Sequence, residues 1–310
     1  MRIVAATHAS IGEAARHLAE GGLVVIPTET VYGIAADATQ PGAVRRIFEV
    51  KGRPSENPLI VHVSDVAMLE TQVQGVPEWV RPLVDRFMPG PLTVVLPKAP
   101  NVPDIVTGGL PTVAVRMPEH PVPLSVIAAL GRPLAVPSAN RFMHLSPTKV
   151  EHIDPAIGEA AAMVLDGGPC SVGVESTVVD ATSFPPRILR PGGVSRGMIQ
   201  EVLGTPLGEM PPGGERRSPG MYARHYAPRA TLLLVRQIPR GAVGFGFEVE
   251  PGPTTVRMPK DPVAYAASLY DVLHRLDQTG AAVILAETPP DTPAWEAVHD
   301  RLRKAGQPSA

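Results

Sequence analysis

This chain of 310 residues predicts an α/β fold, and three observations carry the prediction. Short apolar runs alternate with amphipathic runs of helical length along most of the chain. Several of the apolar runs, such as Leu59-Ile60-Val61-His62-Val63, are apolar at nearly every position, as strands covered on both faces are. Hydrophobic residues make up 44% of the chain and charged ones 19%, which supplies a core for one large domain or a large and a small one.

Taken in order, SIGEAARHLAE (10–20) predicts an amphipathic helix with Ser10 as its cap, Glu13 three residues on, and Gly21-Gly22 as its stop. Residues 23–26 form a short strand ended by Pro27. GAVRRIFEV (42–50) is a helix and 59–63 a strand, followed by a helical region through about Phe87. PGPLTVVLP (89–97) and TVAVRMP (112–118) are strands, SVIAALG (125–131) a helix, and PLAVPSAN (133–140) a strand ending in a polar turn. SPTKVEHI opens another helix, with Thr148 and Glu151 as a capping box or Ser146-Pro147 as an alternative cap. AAMVLDGG is a strand, VGVESTVVD and RILRPGG a strand pair, and VSRGMIQEVLG a helix. Residues 205–228 lose all periodicity and are rich in Pro and Gly, which marks a linker. Beyond it, TLLLV, AVGFGF, TTVRM and AAVILAE are strands, and DPVAYAASLYDVLHRLDQ and PAWEAVHDRLRKAG are helices. The expected organisation is a first domain over 1–204, a linker over 205–228 and a second small α/β unit over 229–310, with no internal repeat.

The net charge of −2 argues against a protein whose main task is gripping nucleic acid through phosphate neutralisation. The 37 prolines are expected in ordered turns and the linker. Cys170 is the single cysteine, so no intrachain disulfide forms. The first residues lack the basic-then-apolar pattern of a signal peptide, and no apolar run reaches membrane-spanning length; a soluble, cytoplasmic protein with no membrane partner is expected.

Common catalytic signatures are missing. There is no phosphate-binding G-x-x-x-x-G-K-[ST] loop, no C-x-x-C, no H-E-x-x-H and no G-x-S-x-G. Gly244-Phe245-Gly246 lacks the third glycine of a dinucleotide fingerprint. His17, His152 and His274 are expected on solvated helix faces, and the carboxylates do not cluster as a metal cage would. The polar residues that stand out lie at the ends of apolar strands, where open α/β sheets bind ligands. These are Thr28 and Thr30; Lys51, Arg53, Asn57 and His62; Arg116; Ser138 and Asn140; Ser176 and Thr177; and Arg190. Each has a bland alternative. Lys51 at a helix C-terminus is favourable by roughly 0.3–1 kcal/mol, and Arg116 and Arg190 would serve as surface ion pairs of little worth. Taken together they are cations, hydroxyls and amides with few carboxylates, which suits an anion with several phosphate or carboxylate oxygens.

At these residues the chain resembles the YrdC-type threonylcarbamoyl-adenylate synthases, in the long form with an extra C-terminal domain. The matching stretches are PTETVYG (27–33), KGRPSENPLIVHV (51–63), PGPLT (89–93), TVAVRMP (112–118), PSAN (137–140), SPT (146–148), LDGG (165–168), VGVESTVVD (172–180), ILRPGG (188–193) and SPGMYARHYAP (218–228). The resemblance implies a twisted, open α/β sheet with a large positively lined concavity, followed by a small Rossmann-like domain. It implies a nucleotidyltransferase that joins L-threonine, bicarbonate and ATP into L-threonylcarbamoyl-AMP and pyrophosphate. A separate transferase complex would use the product to modify the adenosine next to the anticodon in tRNA, with at most weak tRNA contact by this chain.

By the same resemblance, Lys51 and Arg53 hold the phosphates and act catalytically, and Asn57, Thr112, Ser138, Asn140, Ser146, Arg190, His225 and Tyr226 fall on the ATP side. Thr30, His62, Arg116, Val136 and Ser176 fall on the L-threonine side. Arg116 suits the substrate carboxylate and Ser176 its hydroxyl. Mg²⁺ is expected with ATP, held mainly by phosphates and water rather than by protein ligands. SPGMYARHYAP is the expected lid, with His225 or Tyr226 facing the nucleotide. Three departures stand out: Met143 where the family usually carries a glycine nearby, Met88 where an aromatic commonly precedes PGPLT, and RQIPRG where a Rossmann-like unit would place a helix between its first two strands. The rivals are a carbamoyl-transfer enzyme with a YrdC-like domain and a non-catalytic RNA-binding module.

Overall fold

The computed structural model describes residues 1–208 and 224–306. Ten strands form one mixed sheet: β1 (Ile3–Ala5), β2 (Val24–Ile26), β3 (Gly33–Asp37), β4 (Ile60–His62), β5 (Leu92–Pro97), β6 (Thr112–Arg116), β7 (Leu134–Ala135), β8 (Met163–Asp166), β9 (Thr177–Asp180) and β10 (Arg187–Arg190). Their order across the sheet is β1-β8-β2-β3-β7-β4-β6-β5-β9-β10. Parallel pairs (β1/β8, β2/β8, β4/β6, β5/β9) are interleaved with antiparallel ones, and β9 and β10 form the expected antiparallel pair. A second, four-stranded sheet runs β11-β14-β12-β13, from β11 (Thr231–Val235), β12 (Gly244–Gly246), β13 (Thr255–Arg257) and β14 (Val283–Glu287), all parallel.

Strand alternation sorts the central residues to two faces. Val61, Val94, Val113, Val115 and Val179 point into the main core with Ile47, Phe48, Leu83 and Phe87. Ile60, Val95, Ala114 and Val178 point the other way and make a small apolar floor. His62, Thr93, Arg116 and Ser176 lie in register with that floor, two residues along each strand, so the polar strand ends share one face. No helix among the described residues is long and apolar enough to cross a membrane.

Local capping corrects two expectations. The first helix is His8–Ala19, capped by Thr7; Ser10 is its third residue and closes the box from inside. The helix expected from Ser146 is a 3₁₀ turn, Val150–His152, followed by the helix Pro155–Ala160. The proposed caps are engaged elsewhere: Ser146 Oγ donates to Glu175, and Thr148 faces the His152 ring. Asp154 followed by Pro155 is the better helix start. β1, β3 and the short helix Asp104–Thr107 were not anticipated. Met88, in the aromatic's place, is buried in the main core, a packing change.

In the second sheet no helix separates β11 from β12, as RQIPRG implies. The helices Pro262–Asp277 and Glu296–Ala305 pack on one face, while Leu233 and Val283 remain more than 40% exposed. The helical side meets loops of the first unit: the cluster around Tyr265, Tyr270 and Trp295 takes in Val31, Leu145 and Val174.

Candidate active site

The helix Pro41–Lys51 stops where Gly52 turns left-handed (φ 61°). The Gly52 N–H bonds the Glu49 carbonyl at 3.2 Å, and the Arg53 N–H bonds the Phe48 carbonyl at 2.9 Å, a Schellman closure. This reversal sends both cations inward. Lys51 is 2% exposed and Arg53 7%, so neither sits on a solvated helix end. Lys51 Nζ donates to the carbonyls of Ser138 at 2.6 Å and Asn140 at 2.5 Å. Burial, with Arg53 adding, pushes the Lys51 pKa well down. Arg53 donates to the Pro58 carbonyl at 3.0 Å and lies 5.9 Å from the Phe142 ring centre. The buried Asn57 amide has no partner at either atom, as expected of a group that awaits a ligand.

The shared face forms a cavity lined by Thr30, Arg53, His62, Arg116, Val136, Ser138, Ser176, Arg190, His225 and Tyr226. Its free volume is only about 40 Å³. Most of the anticipated residues therefore converge. Five do not touch the cavity surface. Asn57 lies beside Arg53, which donates to its carbonyl. Lys51 lies behind the Ser138–Asn140 turn. Asn140 spends its amide N–H groups on the carbonyls of Arg141 and His144, which shapes that turn. Ser146 sits a layer deeper on Glu175 at 2.5 Å. Thr112 is half-exposed at the opposite end of β6 from Arg116.

Arg116 is held from three sides. Nη2 pairs with Glu29 Oε1 at 2.7 Å, Nη1 donates to Thr30 Oγ1 at 2.9 Å, and Nε donates to the Gly90 carbonyl at 3.1 Å. Both partners of the ion pair are buried, so the reading of Arg116 as a surface pair is overturned. Arg190 is buried too. It donates from Nε to the Ser176 carbonyl at 3.1 Å and from Nη2 to Ser176 Oγ at 3.0 Å, and Thr93 completes the hydroxyl at 2.8 Å. His62 is buried with Nδ1 unpartnered; burial and then Arg116 push its pKa well down, leaving a neutral ring.

His225 and Tyr226 lie across the cavity, as expected of the lid segment; 209–223, which includes Ser218 to Ala223 of that segment, lies outside the described residues. The His225 ring meets Phe142 and Tyr226 edge-on, and the Tyr226 hydroxyl is buried and unpartnered. Tyr226 is left-handed (φ 58°), and so is Met143 (φ 69°). The two are tied: Ala227 N–H donates to the Met143 carbonyl at 2.9 Å beside a parallel bridge between His144 and Ala227. The chain keeps here, without a glycine, a conformation that costs a side-chain-bearing residue about 1–2 kcal/mol. Met143→Gly should therefore raise the urea midpoint, a net gain of about 1 kcal/mol after the added chain entropy. A lower midpoint would mean that the methionine side chain contributes more than the backbone loses.

The sequence reading missed two carboxylates and their partners. Glu29 stands inside PTETVYG and Glu175 inside VGVESTVVD. A carboxylate within an apolar, strand-flanking motif is costly to bury unpaired, and that was the available signal. Glu175 accepts from Ser146 Oγ, from the Tyr270 hydroxyl at 3.0 Å and from Arg301 Nε at 2.7 Å. Burial would raise its pKa, but Arg301, Arg190 and Ser146 outweigh burial and hold it down at about 2.

His152 and His274, expected on solvated faces, instead stack with ring centres 4.1 Å apart. His274 Nε2 lies 3.1 Å from the Ser146 carbonyl, and His152 lies 3.2 Å from Asp271. Burial first, then His152, pushes His274 down to about 4. Its unfolded pKa is near 6.5, so the unfolded chain binds the proton more readily. The stability carried by the neutral ring is complete above pH 6.5 and declines as the pH falls from there toward 4. This group alone accounts for about 2–3 kcal/mol. His274→Gln should flatten the acid limb of urea midpoints measured from pH 7 to pH 4.5; an unchanged slope would place the acid sensitivity elsewhere.

Comparison with known proteins places this geometry in context. A family model described as "Telomere recombination" (Sua5, YciO and YrdC) matches residues 16–192, and one described as "Threonylcarbamoyl-AMP synthase, C-terminal domain" matches residues 194–306. The chain is 42% identical over 315 residues to the threonylcarbamoyl-AMP synthase of Pyrococcus abyssi, covering 94% of this chain and 92% of that one. It is 40% identical over 319 residues to the protein of the same name in Bacillus subtilis, covering 95% and 92%. A crystal structure of P. abyssi Sua5 complexed with L-threonine matches with a TM-score of 0.87 and 40% identity, covering 97% of this chain and 95% of that one.

Proposed function

This chain belongs to the threonylcarbamoyl-AMP synthase family, and from that premise we propose that its cavity joins L-threonine, bicarbonate and ATP into L-threonylcarbamoyl-AMP with release of pyrophosphate. Residues 1–204 are the catalytic unit, 205–228 the linker, whose His225 and Tyr226 line the site, and 229–310 the C-terminal unit. The observation that carries the reading is the division of one buried polar face into two ends. At one end Arg116, Thr30, His62 and Ser176 suit an amino acid with a carboxylate and a hydroxyl; at the other Arg53 and Arg190, with the unpartnered Asn57 amide beside Arg53, suit polyphosphate.

The chemistry asks little covalent work of the protein. Threonine's amine adds to the carbon of bicarbonate and water leaves, giving a carbamate, whose oxygen attacks the α-phosphorus as pyrophosphate leaves. Positioning and charge neutralisation supply the acceleration. Arg116 retains N–H groups for the substrate carboxylate after its three protein contacts. The neutral His62 ring offers a hydrogen bond without a competing positive charge. Arg53 neutralises the departing pyrophosphate, and Lys51 fixes the Ser138–Asn140 turn against which the phosphates lie. Mg²⁺ would neutralise phosphate oxygens. Its ligands would come mainly from phosphates and water, since the carboxylates Glu29 and Glu175 are paired with Arg116 and Arg301.

With His225 and Tyr226 across so small a free volume, substrates enter by displacing these two side chains. Their return shields the mixed anhydride from water. The product then passes to a tRNA-modifying transferase complex. The test is incubation with ATP, Mg²⁺, threonine and bicarbonate, with detection of threonylcarbamoyl-AMP. Product that needs both threonine and bicarbonate supports the reading. Turnover only with carbamoyl phosphate, or RNA binding with no turnover, refutes it.

A further inference from the structure

We propose that Arg301, on the helix Glu296–Ala305 of the C-terminal unit, is a positioning residue for the nucleotide end of the cavity, acting through Glu175 on Ser146, through Pro191 on the neighbouring Arg190, and through Tyr226. The proposal rests on the reading of the cavity as an ATP site and deepens it.

Arg301 is 1% exposed and ranks among the largest fully buried side chains among the described residues. Its bonds leave its own helix. Nε pairs with Glu175 Oε2 at 2.7 Å, Nη1 donates to the Pro191 carbonyl at 2.9 Å, and the guanidinium carbon lies 4.9 Å from the Tyr226 ring centre. A further contact within the helix, to Asp300 Oδ2 at 2.7 Å, leaves the guanidinium well matched. Three segments of the site, at 175, 191 and 226, thus meet on one cation.

Glu175 passes this order on. Its oxygens are filled by Ser146 Oγ, the Tyr270 hydroxyl and Arg301. The next residue, Ser176, is gripped by Arg190 at its carbonyl and its hydroxyl. Residues 175–176 therefore carry Arg301 on one side and Arg190 on the other. The Pro191-Gly192-Gly193 turn presses against them so closely that a Cβ at Gly192 would come within 2.2 Å of the Glu175 carbonyl oxygen. A shift of Glu175 and Pro191 moves Ser146 and Arg190, whereas the Ser176 hydroxyl keeps a separate anchor in Thr93.

A purely adhesive role would be served as well by apolar contact. Replacing a buried ion pair with hydrophobic residues is often neutral or stabilising, whereas removing one partner is costly. An ionised carboxylate beside Ser146, at a site built for an anionic nucleotide, needs a cation to stay fixed there. The threonine end is anchored separately, by Glu29, Thr30 and Gly90 on Arg116. The expected signature is thus selective for one substrate.

The experiment uses the full chain and compares wild type, Arg301→Gln, and the double variant Glu175→Leu with Arg301→Met. ATP affinity is measured by calorimetry, KM for ATP and threonine by pyrophosphate release, and stability by thermal melting. Arg301→Gln should weaken ATP binding and raise its KM about ten-fold or more, with KM for threonine within two-fold of wild type. The double variant should recover most of the melting temperature but not the ATP affinity. Recovery of both, or parallel changes in both KM values, would overturn the proposal in favour of a structural role. A wild type that binds ATP yet makes no threonylcarbamoyl-AMP would refute the synthase reading alone, since the calorimetric comparison still decides the role of Arg301. A wild type that does not bind ATP would overturn both.

Discussion

Arg53→Ala should lower threonine-dependent pyrophosphate release by about 100-fold or more, the scale on which a single donor to developing charge acts, while the chain stays folded. Arg53 lies on the cavity wall and donates to carbonyls of its own turn, Asn57 and Pro58. Removing it deletes a charge where phosphate is expected. Lys51→Ala should behave differently, although it stands two residues away. Its Nζ spans the Ser138 and Asn140 carbonyls in the interior, and stripping it leaves both unsatisfied at about 1–3 kcal/mol each. Turnover and stability should fall together there. Parallel activity assays and melting curves on the two variants check the contrast. An Arg53→Ala protein at wild-type rate would remove this turn from the catalytic account.

Arg116→Ala should be the most damaging change at the threonine end. It abolishes the group assigned to the substrate carboxylate and strands Glu29, 3% exposed, without its cation. Breaking a buried pair from one side costs about 3–5 kcal/mol, so low activity alone would not identify the cause. Combining Arg116→Met with Glu29→Leu separates the two effects. The pair of apolar residues should restore the urea midpoint while threonine-dependent turnover stays lost. If turnover returned with stability, Arg116 would be a structural residue and the carboxylate would be bound elsewhere.

The sequence and the structure agree where information is local. The strand ends were legible because alternation along β4, β6 and the segment into β9 forces His62, Arg116 and Ser176 onto one face whatever the neighbours do. The helix end at Lys51 was legible for the same reason, while the Schellman closure around Gly52 emerges from the structure. Glu29 and Glu175 were in plain view within their motifs, but their meaning depends on Arg116 and Arg301, far along the chain. Nothing at residue 152 announces a ring at residue 274. The caps failed at closer range: Thr7, three residues earlier, out-competed Ser10, and Glu175 took the Ser146 hydroxyl that a helix cap would have used. Tertiary partners decide such contests, and pattern reading does not weigh them.

The bond between Glu175 and Arg301 joins positions 126 residues apart. At about 5–20 residues per second of synthesis, roughly 6–25 s pass between the appearance of the carboxylate and of its cation. During that interval Arg190, which grips Ser176, is the cation beside the segment at 175–176, and the Glu175 carboxylate, still without its direct partner, stays hydrated. The ten-stranded sheet can assemble around the growing chain, yet its nucleotide end waits for the helix that arrives last to it. The order of assembly is therefore fixed by electrostatics as well as by topology: a nascent chain acquires its shape before it acquires its grip on nucleotide.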